Sequence, residues 1–85
     1  MEQARKDIIR FALDYNILDI ATYWGYRGDL LVKFTMPESE KESLSRIREE
    51  ALGMGMEVVI KDNKSKLIYE LYCITPSEDT YELKL

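Results

Sequence analysis

Histidine is absent from this chain, cysteine and tryptophan occur once each, and proline occurs twice. Without imidazole there is no His base, no Ser-His or Cys-His nucleophile pair and no His metal ligand. A lone Cys73 excludes an intramolecular disulfide and a Cys-rich zinc site. The four glycines, Gly25, Gly28, Gly53 and Gly55, have neither dinucleotide-loop nor P-loop spacing. No run approaches the roughly 20 apolar residues needed to span a bilayer. The opening MEQARKDIIRFALDY alternates charge with apolar residues and lacks the core of a secretory signal. These absences predict a chain that is not an enzyme, with no catalytic residue, cofactor or metal, and no membrane partner. A reducing, cytoplasmic setting is the corresponding expectation.

What is present is enough for one small domain spanning residues 1–85. The 85 residues are 46% apolar and 33% charged, the composition of a folded domain and not of a disordered tail. At 10.0 kDa such a chain buries roughly 64% of the surface exposed when unfolded. Its expected net stability is about 4 to 13 kcal/mol. Twelve Lys and Arg against sixteen Asp and Glu give a net charge of −4, which opposes general affinity for polyanions. The surplus sits in residues 37–52 and 76–85, two negative charges each. The rest of the chain is neutral.

Helical spacing of Ala4, Ile8, Phe11, Ala12 and Tyr15 predicts a first helix from Gln3, widened by Ile9 and Leu13. Asn16 is the expected end, because Asn tolerates the left-handed conformation that closes a helix. Residues 17–36 read as a β-hairpin, with Leu30, Val32, Phe34 and Met36 on one side and Leu31, Lys33 and Thr35 on the other. The segment PESEKESLSRIREEALGMG predicts the second helix, with Ser39 and Glu42 as a capping box and Leu44, Ile47 and Ala51 as its buried stripe. Gly53 or Gly55 ends it. Met56, Val58 and Ile60 then alternate with Glu57, Val59 and Lys61, and the turn Asp62–Ser65 leads into a strand from Lys66 to Ile74. Cys73 reads as a small buried hydrophobe in that strand. In the tail SEDTYELKL, Tyr81, Leu83 and Leu85 alternate with polar residues as in a further strand, with a short helix as the alternative.

The expected fold class is therefore α+β. Two helices pack on one face of an antiparallel sheet of four to five strands, in the order αββαββ(β). That order is ferredoxin-like or its circular permutant. Sliding the chain on itself by 39 residues superposes Ile8 on Ile47, Ala12 on Ala51, Leu13 on Leu52 and Pro37 on Pro76. An internal αββ duplication explains this; two amphipathic units that merely look alike explain it too.

One segment has the residue types of a binding surface. Tyr23, Trp24, Tyr26 and Arg27 gather three aromatics and an arginine at the end of the first hairpin, types enriched at interface hot spots and able to stack bases. Lys61, Lys64 and Lys66 cluster on the second. The plainer alternative places Trp24 in the core and the tyrosines in cross-strand pairs. Glu38, Glu40 and Glu42 compensate a helix dipole better than they ligate a cation, since residues two apart diverge. The leading functional expectation is a non-catalytic protein-interaction or regulatory domain acting as a homodimer or docking onto a partner protein. The alternatives are single-stranded nucleic-acid binding through the hairpin ends, which is not favoured, and a small-molecule sensor domain.

Overall fold

The computed structural model describes residues 2–24 and 29–75. Among these, the order is α1 (Glu2–Ala12), β1 (Asp19–Trp24), β2 (Leu30–Pro37), α2 (Lys41–Gly53), β3 (Glu57–Asn63) and β4 (Ile68–Thr75). The four strands form one antiparallel sheet in the order β1-β2-β4-β3. The α+β class, the two helices and the four antiparallel strands agree with the sequence reading. The tail expected as a fifth strand lies outside the described residues, as do Tyr26 and Arg27.

Alternation along the strands separates two sheet faces. Leu30, Val32, Phe34 and Met36 are buried in β2, as are Leu71 and Cys73 in β4. They pack with Ile8 and Ala12 of α1 and with Leu44, Ile47 and Ala51 of α2, so both helices cover the same face. Burying Phe34, Ile8, Ile47 and Leu71 completely contributes about 1.5–3 kcal/mol apiece.

The repeat offset reappears in the sheet. Lys33 pairs with Tyr72, residues 39 apart, so an approximate two-fold axis passes through that pair, normal to the sheet. It relates β2 to β4, and the helical residues 39 apart in the chain, Ile8 with Ile47 and Ala12 with Ala51, are all buried. The outer strands depart by one residue. Asp19 pairs with Thr35 in the first hairpin, whereas the residue 39 beyond Asp19, Val58, pairs with Cys73 instead of Ile74. Five residues separate β1 from β2 and four separate β3 from β4, so the shorter turn accounts for the slip.

Several local expectations need correction. The first helix ends at Ala12, and tight turns follow, with Asp14 N–H to Phe11 O at 3.4 Å and Tyr15 N–H to Ala12 O at 3.0 Å. Asn16 is not left-handed; Leu67 is the one non-glycine with positive φ among the described residues. Asn16 instead donates from Nδ2 to Glu40 Oε1 at 3.3 Å, tying the α1 exit to the α2 entrance. Ser39 is not the N-cap of α2. Glu40 holds that position, and its Oε2 accepts from Ser43 Oγ at 3.1 Å. The side-chain bond thus runs between two side chains and satisfies no backbone donor. The fourth strand starts at Ile68, leaving Lys66 in the turn.

The α2 exit follows the glycine logic. Gly55 has φ +83°; Met56 N–H reaches Ala51 O at 3.1 Å and Gly55 N–H reaches Leu52 O at 3.0 Å. This is the paired closure of a Schellman motif, with Ala51 and Met56 both buried beneath it. Outside, Arg46 meets Glu42 at 3.6 Å across one helical turn.

Candidate interaction face

Among the described residues, no helix packs on the second sheet face and nothing else covers it. Strand register sets its side chains in rows across β1, β2, β4 and β3. The row nearest the β1–β2 turn is Tyr23, Leu31, Ile74 and Glu57. Next come Ala21, Lys33, Tyr72 and Val59, then Asp19, Thr35, Glu70 and Lys61. Pro37, Ile68 and Asn63 complete it at the other end. Leu31, Tyr72 and Ile74 are half-buried by their neighbours, while Tyr23 and Val59 remain 49% and 47% exposed. Leu31, Val59, Lys61, Tyr72 and Ile74 line a shallow hollow of about 200 Å³.

Charge on this face is mixed and partly neutralised in place. Lys33 Nζ lies 3.8 Å from Glu70 Oε2, both side chains largely shielded. Lys61 Nζ lies 5.5 Å above the Tyr72 ring, within range of a cation–π attraction. Two lysines, Lys33 and Lys61, stand against Asp19, Glu57 and Glu70. The face is therefore not a basic track.

The residues singled out in the sequence are dispersed over the sheet. Tyr23 and Lys61 lie on the open face. Trp24, one residue on, points to the helix side at the sheet margin and is 68% exposed. The alternative that buried Trp24 in the core is overturned, because the helices sit over β2, β3 and β4 and leave β1 exposed or half-exposed along its length. Lys64 and Lys66 occupy the β3–β4 turn at the opposite end, separated from Trp24 by the seven residue steps from Leu30 to Pro37, or about 24 Å. The approximate two-fold axis sends the two hairpin ends in opposite directions. Among the described residues, Tyr23 and Trp24 consequently form no single cluster with the turn lysines Lys64 and Lys66.

Leu31, Val59, Tyr72 and Ile74 were not expected as site residues. Their signal was three runs apolar on both sides of a strand, Leu30, Leu31, Val32, then Val58, Val59, Ile60, then Leu71, Tyr72, Cys73, Ile74, a pattern that calls for cover on both faces.

Burial pushes the Cys73 thiol up to about 12, keeping it neutral and unreactive. Among the described residues, no group of three or more His, Cys, Asp or Glu is arranged to hold a metal ion. No described helix is long and apolar enough to cross a membrane. The chain matches no protein-family model, no curated protein and no solved structure.

Proposed function

We propose that the chain is a non-catalytic protein-interaction domain that uses the open sheet face to bind itself or a partner protein. The observation that carries this reading is the apolar band of Tyr23, Leu31, Tyr72, Ile74 and Val59, which the described residues leave uncovered opposite a face already filled by two helices. A sheet apolar on both sides gains by being covered on both sides. The three carboxylates among five charges favour protein over single-stranded nucleic acid, whose phosphates need an excess of cations. The hollow at Tyr72 is open and shallow, so a surface partner suits it better than an enclosed small molecule.

The αββαββ order with strand neighbours β1-β2-β4-β3 supports a finer fold reading, a circular permutant of the ferredoxin-like βαββαβ order. The two-fold relation at Lys33 and Tyr72 supports an αββ duplication. A cytoplasmic setting remains part of the proposal, on the strength of the single buried cysteine.

Photo-crosslinking tests the interaction reading. A photoreactive phenylalanine analogue replaces Tyr72 in the full chain inside expressing cells, and the exposed Glu49 of α2 serves as the control position. Protein adducts at 72, with itself or another chain, and none at 49 are expected. No protein adduct at 72 overturns the reading.

A further inference from the structure

We infer that the occupant of the open sheet face is a second copy of this chain, packed sheet to sheet about a two-fold axis that runs parallel to the strands between the two sheets. This rests on the interaction reading above and deepens it by naming the partner and the contacts.

The rows of the face are complementary to themselves under that operation. Rotation about an axis along the strands keeps each row level and exchanges the β1 side with the β3 side. In the third row it brings Asp19 of one copy opposite Lys61 of the other. In the first row Tyr23, able to donate its hydroxyl proton, faces the Glu57 carboxylate, and Leu31 faces Ile74. In the second row Ala21 faces Val59. Every pairing follows from the strand register, and each occurs twice because the interface is isologous.

The centre and the corners then follow different electrostatic rules. At the centre, Lys33 already has Glu70 at 3.8 Å within its own chain, so covering it leaves no orphaned charge. At the corners, Asp19 and Lys61 are exposed and have the reach to meet across a spacing of about 10 Å between packed sheets. Turning the axis across the strands instead sets Ala21 against Asp19 and Val59 against Lys61 when it runs between the second and third rows. Along the second row it sets Lys33 against its own copy and Ile74 against Glu70, so both registers match more poorly.

Four strands about 4.8 Å apart, over a length of about 24 Å, present a projected area of about 450 Å² per copy. Two copies remove at least about 900 Å², the lower end of specific interfaces, which predicts a reversible dimer in the micromolar range or weaker.

Sedimentation velocity on the full chain, from about 1 μM to 1 mM, reads the association directly. Asp19→Lys sets two ammonium groups together at each corner, and Lys61→Asp sets two carboxylates together. Each single variant is expected to dimerise about tenfold more weakly than the parent, at low salt. An equimolar mixture of the two must recover association, because each then supplies the opposite charge to the other. That recovery also shows that both variants are folded. A parent chain that stays monomeric throughout, because residues 76–85 or a different protein occupy the face, overturns the inference. So does a dimer insensitive to both substitutions. A monomer that still gives adducts with another protein at position 72 sinks this dimer alone and leaves the interaction reading standing.

Discussion

Leu67 is the position where backbone strain is most open to measurement. It ends the four-residue turn between Asn63 and Ile68 with φ +57°, and its side chain is 63% exposed. Its carbonyl accepts Glu38 N–H at 2.9 Å, and Lys66 N–H reaches Asn63 O at 3.3 Å. Asn63 Oδ1 also accepts from Ser65 Oγ at 2.9 Å. These bonds hold the turn in a shape that requires a left-handed residue before β4 begins. For a residue with a Cβ that conformation costs about 1–2 kcal/mol, while glycine gives up roughly 0.5–1 kcal/mol of extra chain entropy on folding. Leu67→Ala and Leu67→Gly lose the same partly buried side chain beyond Cβ, so comparing them isolates the backbone. Glycine should be the more stable by about 0.7 kcal/mol, a melting temperature roughly 3–6 °C higher for a domain of this size. Thermal unfolding followed by circular dichroism provides the measurement. At the exposed helical Glu49, where alanine suits the helix, the order must reverse by about 1 kcal/mol. An alanine variant at 67 as stable as the glycine variant, or more so, refutes the strain.

Two further outcomes follow from burial. Cys73 has a thiol raised by desolvation from 9.0 to about 12, so it stays protonated in the folded chain where the unfolded chain has ionised. Its contribution to stability is complete below pH 9 and falls by about 1.4 kcal/mol per pH unit as pH rises from 9 towards 12. Urea titrations across that range should show a steeper decline for the parent than for Cys73→Ala, and equal slopes exclude the effect. Trp24, 68% exposed, should be quenched by acrylamide nearly as efficiently in the folded chain as in urea. Strong protection at dilute concentration contradicts its placement at the sheet margin.

The helices and strands were legible because their periods are strong and local. Leu44, Ile47 and Ala51 mark α2 by spacing alone, and the alternation from Leu30 to Met36 marks β2. Errors gathered where several side chains compete for the same backbone role. Ser39 and Glu40 both stand ahead of α2, and sequence favours the better capping residue, whereas packing at the α1 exit draws Glu40 onto Asn16 and Ser43. Asn16 likewise has the composition of a helix terminator, yet the chain has already turned after Ala12.

By itself the sequence determined the α+β class, the two buried helix stripes, the neutral interior cysteine and the 39-residue echo, since each depends on residues close in the chain or on composition. Only the tertiary structure decided that the two hairpins join through β2 and β4, and hence what stands beside what across the sheet. Pairing β2 with β4 placed the two-fold axis at Lys33 and Tyr72 and sent the hairpin ends apart. Trp24 and Lys64, drawn together by composition, thereby lie at opposite ends of the sheet. Leu31, Val59, Tyr72 and Ile74, scattered over 44 positions of sequence, became one face. The physical reason is that a strand fixes the alternation of its own side chains and a hairpin turn fixes the register of its two strands. The pairing of β2 with β4 is set by contacts distant in sequence, which local pattern does not encode.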